Sequence, residues 1–128
     1  MSARKLAFVA VAVTSPLLIV GCSSDSSNST SAATRVSVTS TDSTCDISTN
    51  SVPAGATAFD VTNTGGKITE VYVYGKSGDA FTTIVSEVEN IGPGTSRTMN
   101  ATLAAGSYEI ACKPGQTGDG IRAALTVS

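Results

Sequence analysis

The feature that most constrains the fold is a series of seven short runs in which apolar and polar residues alternate, separated by Gly, Pro and Asn. These runs are residues 35–39, 57–63, 68–74, 81–88, 97–103, 107–112 and 121–127. A period of two is typical of β-strands with one buried face, and no stretch after Thr34 shows the 3.6-residue period of a helix. The sequence therefore predicts an all-β Greek-key β-sandwich of about seven strands, formed by residues 35–128.

The first 21 residues have the pattern of a cleavable signal peptide. Two basic residues, Arg4 and Lys5, precede an apolar run over residues 6–20. An apolar run of this length with a basic flank is typical of a secretory signal rather than a membrane span. Residues 19–22, Ile-Val-Gly-Cys, resemble the lipobox of bacterial lipoproteins, in which the cysteine is acylated and becomes the first residue of the mature chain. We expect lipidation at Cys22; the alternative is an ordinary secretory signal whose cysteine happens to lie near the cut.

Residues 22–34 are predicted to be a Ser-rich flexible tether. Positions 23–31 contain no apolar residue that a core would bury. A flexible chain of about a dozen residues spans about 20 Å on average. We therefore expect one folded domain outside the cytoplasmic membrane, held to that membrane by its lipid anchor.

The composition excludes several classes of function. The chain has no His, which excludes His-based catalytic triads and metal sites built on imidazole. The formal net charge is −2, and loss of the two basic residues with the signal makes it about −4. No basic stripe is present, so a nucleic-acid partner is not expected. No catalytic base, nucleophile elbow or phosphate loop is recognisable either, and we expect a protein that is not an enzyme.

Cys45 and Cys112 are the two cysteines that remain once Cys22 is acylated. In an oxidising compartment such a pair commonly forms a disulfide, and closing this loop would stabilise the domain by about 4 kcal/mol. As thiolates, the same residues are able to bind a metal. A disulfide sulfur is no longer a thiolate ligand, so the two states exclude each other. The sequence leaves both uses open.

Two segments resemble cupredoxins. Residues 59–71 are similar to the stretch that delivers the first His ligand of that family, with Glu70 at the His position. Residues 105–115 are similar to the strand and loop that supply the Cys ligand, which places Cys112 at the thiolate position. The resemblance implies a cupredoxin-like sandwich with these two residues near its metal position.

The remaining ligand positions depart from the family pattern. Gly115 stands where a plastocyanin-like loop has its second His, and Gly120 stands near the place of the axial Met. A blue-copper centre needs two imidazoles and a thiolate. The resemblance therefore implies a cupredoxin-like protein that is not a blue-copper protein.

A more specific resemblance is carried by residues 40–45, 87–94 and 111–115 together. They are similar to the N-terminal cupredoxin-like domain of EfeO, the extracytoplasmic component of the EfeUOB iron-uptake system. The resemblance covers residues 35–127. In that family a helical domain with a His-containing iron motif usually follows. Because this chain lacks His, we expect a stand-alone lipoprotein without that domain.

The EfeO resemblance implies a metal-binding accessory to iron uptake, with envelope proteins of that system as partners. It implies a site for copper or iron at Cys45, Glu70 and Cys112, with Glu89 as a weaker fourth ligand. The alternative is a metal-free sandwich that is cross-linked by a Cys45–Cys112 disulfide and acts as a structural or protein-interaction module. In that alternative Glu70 lies at the rim or pairs with a cation, and Glu89 belongs to a solvated acidic edge.

Overall fold

The computed structural model describes residues 32–128, which form nine β-strands and no helix. The strands are β1 (Thr34–Ser40), β2 (Cys45–Ile47), β3 (Ser51–Val52), β4 (Gly55–Asn63), β5 (Thr69–Ser77), β6 (Ala80–Ile91), β7 (Ser96–Leu103), β8 (Gly106–Pro114) and β9 (Ile121–Val127). The seven predicted runs correspond to β1 and to β4 through β9. The two additional strands, β2 and β3, have three and two residues. Strands this short contain too few positions to show alternation.

The predicted signal peptide, Cys22 and the tether as far as residue 31 lie outside the described residues. Within residues 32–128, no helix has the length and apolar character needed to cross a membrane.

The strands form two sheets that face each other. One sheet has the order β2-β1-β4-β7 and the other has the order β3-β9-β8-β5-β6. Most neighbours are antiparallel, but β1 pairs in parallel with β4 and β3 pairs in parallel with β9. Parallel neighbours need a crossover connection, and residues 41–54 provide the one between β1 and β4 by passing from one sheet to the other. The predicted all-β sandwich is confirmed.

The core lies between the sheets and is built mainly from branched aliphatic side chains. Alternate residues of the long strands point inward, as the period of two requires, except in β6, where the pairing with β5 shifts register at three places. The residues at 0–3% exposure include Val36, Val38, Phe59, Val61, Val71, Val73, Ile110, Cys112, Leu125 and Val127. The inner faces of both sheets are thus defined, and every other residue of these strands faces outward.

One end of the sandwich, here called the loop end, carries the turns that follow β1, β4, β6 and β8. Asn63 holds two of them together, because its Nδ2 donates to the carbonyl oxygens of Lys67 (2.7 Å) and Ile91 (2.8 Å). Asp42 joins the turn after β1 to the turn after β4, because its carboxylate accepts hydrogen bonds from the backbone amides of Gly66 and Lys67. A Cβ on Gly65 would lie 2.5 Å from Asp42 Oδ1, so only glycine permits this close approach.

Candidate functional site

The candidate site begins with a disulfide between Cys45 and Cys112. Cys45 opens β2 in one sheet and Cys112 lies on β8 in the other, 67 positions along the chain, with the Cα atoms 5.5 Å apart. Cys112 is fully buried and Cys45 is 8% exposed. The bond therefore joins the two sheets through the core, close to the loop end. Of the two uses that the sequence left open for these cysteines, the structure has the disulfide.

Glu70 lies on the opposite face of the sheet from Cys112. Between β5 and β8, Glu70 pairs with Lys113 while Val71 pairs with Cys112. Paired residues share a face and consecutive residues point to opposite faces. Val71 and Cys112 consequently point into the core, whereas Glu70 points outward. The structure does not bring the three predicted ligands together, because a one-residue difference in position reverses the direction of a strand side chain.

Glu70 is instead paired with a cation on the outer face. Its Oε1 lies 3.9 Å from Nζ of Lys113, and both side chains are largely buried, at 11% and 13% exposure. A carboxylate in such a position needs a compensating partner, and Lys113 supplies the charge. This arrangement matches the alternative in which Glu70 pairs with a cation.

Glu89 also lies on the outer face, beside Tyr72. The phenol of Tyr72 donates a hydrogen bond to Glu89 Oε1 at 3.2 Å, and Glu87 is the residue of β6 that pairs with Tyr72. Burial raises the pKa of Tyr72 far above its ordinary value, and the negative charge of Glu70 and the hydrogen bond to Glu89 raise it further. The Glu89 carboxylate is thus hydrogen-bonded to a tyrosine, and it lies on the outer face of the sheet, whereas both cysteines lie on the inner side.

Sequence reasoning missed a cluster on the outer face, here called the tyrosine cluster, formed by Tyr72, Tyr74, Lys113 and Arg122. The two rings stack with centroids 5.4 Å apart. Nζ of Lys113 lies 4.1 Å from the centroid of Tyr72 and donates to the phenol oxygen of Tyr74 at 2.9 Å. The Arg122 guanidinium lies 4.4 Å from the Tyr74 centroid. The two-residue spacing of the tyrosines was a sequence signal that both rings lie on one face of β5. The cations could not be predicted, because they come from β8 and β9, and only the order of strands in the sheet places those strands near the tyrosines.

The residues near the disulfide do not fit copper as cupredoxins hold it. Gly115 and Gly120 stand at the positions of the family's second His and axial Met, and their φ angles are +77° and +80°. A Cβ on Gly120 would lie 2.9 Å from the Cys112 carbonyl oxygen, so a larger side chain is excluded there. The inward position at the start of β5 belongs to Thr69, whose hydroxyl is hydrogen-bonded to that of Ser40 at 3.0 Å. Across residues 32–128, no three His, Cys, Asp or Glu side chains are grouped so as to hold a metal ion.

Comparison with known proteins agrees with this fold. A family model described as a cupredoxin-like domain matches residues 10–127. No curated protein matches the chain.

Solved structures share the architecture at low sequence identity. Auracyanin from Roseiflexus castenholzii is 20% identical with a TM-score of 0.58, over 75% of this chain and 98% of that one. An azurin from Methylomonas sp. strain J is 17% identical with a TM-score of 0.53, over 76% and 99% of the two chains. Auracyanin A from Chloroflexus aurantiacus, described as a blue copper protein, is 13% identical with a TM-score of 0.52, over 73% and 99%. At these identities the likeness establishes the fold alone.

Proposed function

The chain belongs to the cupredoxin-like domain family, and from this premise we propose that it is a lipid-anchored docking module of the EfeO type. In this proposal it acts outside the cytoplasmic membrane, without catalysing a reaction, and presents its sandwich to an envelope protein of an iron-uptake system. The observation that carries the proposal is the Cys45–Cys112 disulfide, which occupies both sulfurs and joins the two sheets. A sandwich whose two sheets are joined by this bond is suited to binding another protein.

Export and membrane anchoring are supported by two observations, the disulfide and the N-terminal sequence pattern. Disulfides persist in oxidising compartments, which agrees with export of the chain across the cytoplasmic membrane. The N-terminal pattern that ends at Cys22 supports acylation, and stable anchoring takes two acyl chains because one chain binds only marginally. We expect the wild-type protein to incorporate labelled fatty acid and to sediment with membranes. Cys22→Ser should incorporate no labelled fatty acid; a labelled variant would contradict acylation at Cys22.

The iron-uptake partner is supported by the EfeO resemblance in residues 40–45, 87–94 and 111–115. A test is photocrosslinking in iron-limited cells, with the photoreactive residue placed in turn at exposed positions of the sandwich. We expect crosslinks to components of an iron permease complex, with weaker crosslinks in iron-replete cells. Crosslinks only to unrelated envelope proteins would contradict the iron-uptake role and leave the docking role in place.

Metal binding is the second candidate, and it is restricted to a reduced state. The observation that favours it is that the two sulfurs already meet across the core. Residues 32–128, purified without reductant, should have an intact mass about 2 Da below that of the reduced chain and should retain neither copper nor iron. Two thiols that become protected when copper or iron is added would instead support a thiolate site. Glu70→Gln is the control, since a residue on the outer face should not change metal retention.

A further inference from the structure

We propose that the free edge of strand β6 is the place where the docking partner binds, and that the partner contributes an extended strand with apolar residues at one end and Lys or Arg at the other. This inference rests on the proposed docking function and specifies its surface and the chemistry of the partner.

Strand β6 is a free sheet edge. It is the outermost strand of the five-stranded sheet and, with 12 residues, the longest strand of the described domain. Residues 82–85 are all exposed, and Ile84 (53%) and Val85 (38%) are two of the three exposed large hydrophobic residues in 32–128. The strand contains no Lys, Arg or Pro, which commonly block an edge, although its pairing with β5 shifts register at three places and such bulges also hinder edge pairing. Outside these irregular positions its backbone is open to pairing with an added strand.

The other described edges are short or engaged. The edge strands β2 and β3 have three and two residues. The edge strand β7 is tied to the loop-end half of β6, because Arg97 Nη1 donates to the Glu89 carbonyl oxygen (3.0 Å) and Ser86 Oγ donates to the Asn100 carbonyl oxygen (2.7 Å). The least engaged part of β6 is thus residues 80–85, where the Phe81 carbonyl oxygen still accepts a hydrogen bond from Arg122 Nη1 at 3.4 Å.

The side chains along β6 define the chemistry of a complementary strand. On the outer face, Phe81 and Ile84 come first and Glu87 follows, since Ile84 and Glu87 pair with Tyr74 and Tyr72 and Phe81 packs against the same tyrosines. A paired strand places its side chains directly beside this row. Within residues 32–128, neither Glu87 nor Glu89 has a cation within 4.0 Å. Apolar residues would therefore lie beside Phe81 and Ile84, and a Lys or Arg beside Glu87.

Room for the basic side chains is present. An open groove of about 470 Å³ lies between β6 and β7; its walls include Glu87 and Glu89 and also Arg97, whose guanidinium donates to the Glu89 carbonyl oxygen. A Lys or Arg at the end of the partner strand would enter this groove without displacing a core residue.

Charge favours such a partner over a second copy of the chain. Residues 32–128 carry nine Asp and Glu against six Lys and Arg, so two copies repel each other. The charged residues of β6 itself are acids only, and pairing β6 with a second β6 places no base beside Glu87. Like charges side by side on paired strands are destabilising.

The test uses the mature chain with Cys22→Ser, labelled with ¹⁵N, and a synthetic probe. The probe is Lys-Thr-Lys-Thr-Val-Thr-Val-Thr, N-methylated at alternate residues so that it pairs along one edge only, and it is supplied in both sequence orders. The control probe replaces both Lys by Glu. We expect amide shifts confined to residues 80–85 and their neighbours, and an affinity about tenfold higher for the Lys probe than for the Glu probe at low salt.

Two matched variants identify the surface. Ile84→Lys places a charge on the free edge and should abolish binding of the probe. Ile68→Lys changes another exposed isoleucine, 48% exposed at the loop end, and should leave binding unchanged. Neither side chain is buried, so both variants should fold.

Three results would overturn the inference: no shifts along β6 with either probe order, equal affinity for the Lys and Glu probes, or dimerisation through β6 without a probe. The crosslinking experiment separates this inference from the docking function. If Ile84→Lys leaves the crosslinks to the envelope partner intact, docking stands and the surface is elsewhere. If the wild-type chain gives no crosslink to any partner, the docking function itself fails.

Discussion

Opening the Cys45–Cys112 disulfide should lower the free energy of unfolding by about 4 kcal/mol. The bond closes a loop between residues 67 positions apart. In the chain-entropy model such a loop restricts the unfolded chain by about 15 cal/mol/K, which is about 4 kcal/mol at 25 °C. A domain has a total stability of about 5–15 kcal/mol, so this loss is a large fraction of it. The corresponding fall in Tm is about 15–30 °C for about 100 residues.

The assay is urea unfolding of residues 32–128 followed by far-UV circular dichroism, because the chain has no Trp to report by fluorescence. The oxidised protein is compared with the same protein kept reduced, which retains both sulfurs in the core and lacks only the bond. The double variant Cys45→Ala, Cys112→Ala should lose about 1 kcal/mol more, since Cys112 is fully buried and its removal leaves a small cavity.

A reduced protein within about 1 kcal/mol of the oxidised one would refute this reasoning. It would mean that the bond does not restrict the unfolded chain as the loop length implies, and that the core between the sheets is stable without it.

Three further perturbations test particular contacts. Gly65→Ala should destabilise the domain by about 1–3 kcal/mol in urea unfolding, because its Cβ would lie 2.5 Å from a carboxylate oxygen of the first turn, whereas Gly66→Ala, with its Cβ at 3.4 Å, should cost much less. Lys113→Met should destabilise more than the double variant Lys113→Met, Glu70→Gln, because the single change leaves a largely buried carboxylate unpaired; equal stabilities would contradict the pairing. The folded pKa of Tyr72 is raised, so its contribution is complete below the unfolded value of about 10 and stability falls as pH rises above that value. Tyr72→Phe should show a smaller fall over the same pH range, and an unchanged fall would contradict the shift.

The strand positions were predictable because they depend on local alternation. The runs at 57–63 and 107–112 lie within β4 and β8 as the structure has them. Strands β2 and β3 were not predictable, since two or three residues cannot show a period. They form because the crossover between β1 and β4 passes alongside the edges of both sheets.

The candidate site shows where sequence reasoning stops. Glu70 and Tyr72 are two positions apart on one strand, so alternation predicts that they share a face, and the structure agrees. The resemblance to cupredoxins grouped Glu70 with Cys112, and the pairing of β5 with β8 separates them by pairing Glu70 with Lys113. Strand pairing depends on contacts between distant segments of the chain. A shift of one residue in the register between β5 and β8 would have placed Glu70 beside Cys112.

The sequence by itself determined that the domain is all-β, where its seven long strands lie, which residues share a face in the strands without bulges, and that no imidazole is available to a metal. These properties follow from local periodicity and from composition. The tertiary structure decided that Cys45 meets Cys112 between the sheets, that Lys113 and Arg122 cover two tyrosines, and that β6 is left as the free edge. The reason is physical: a strand's own residues define its two faces, whereas its neighbours and their alignment are selected by the packing of the whole sandwich.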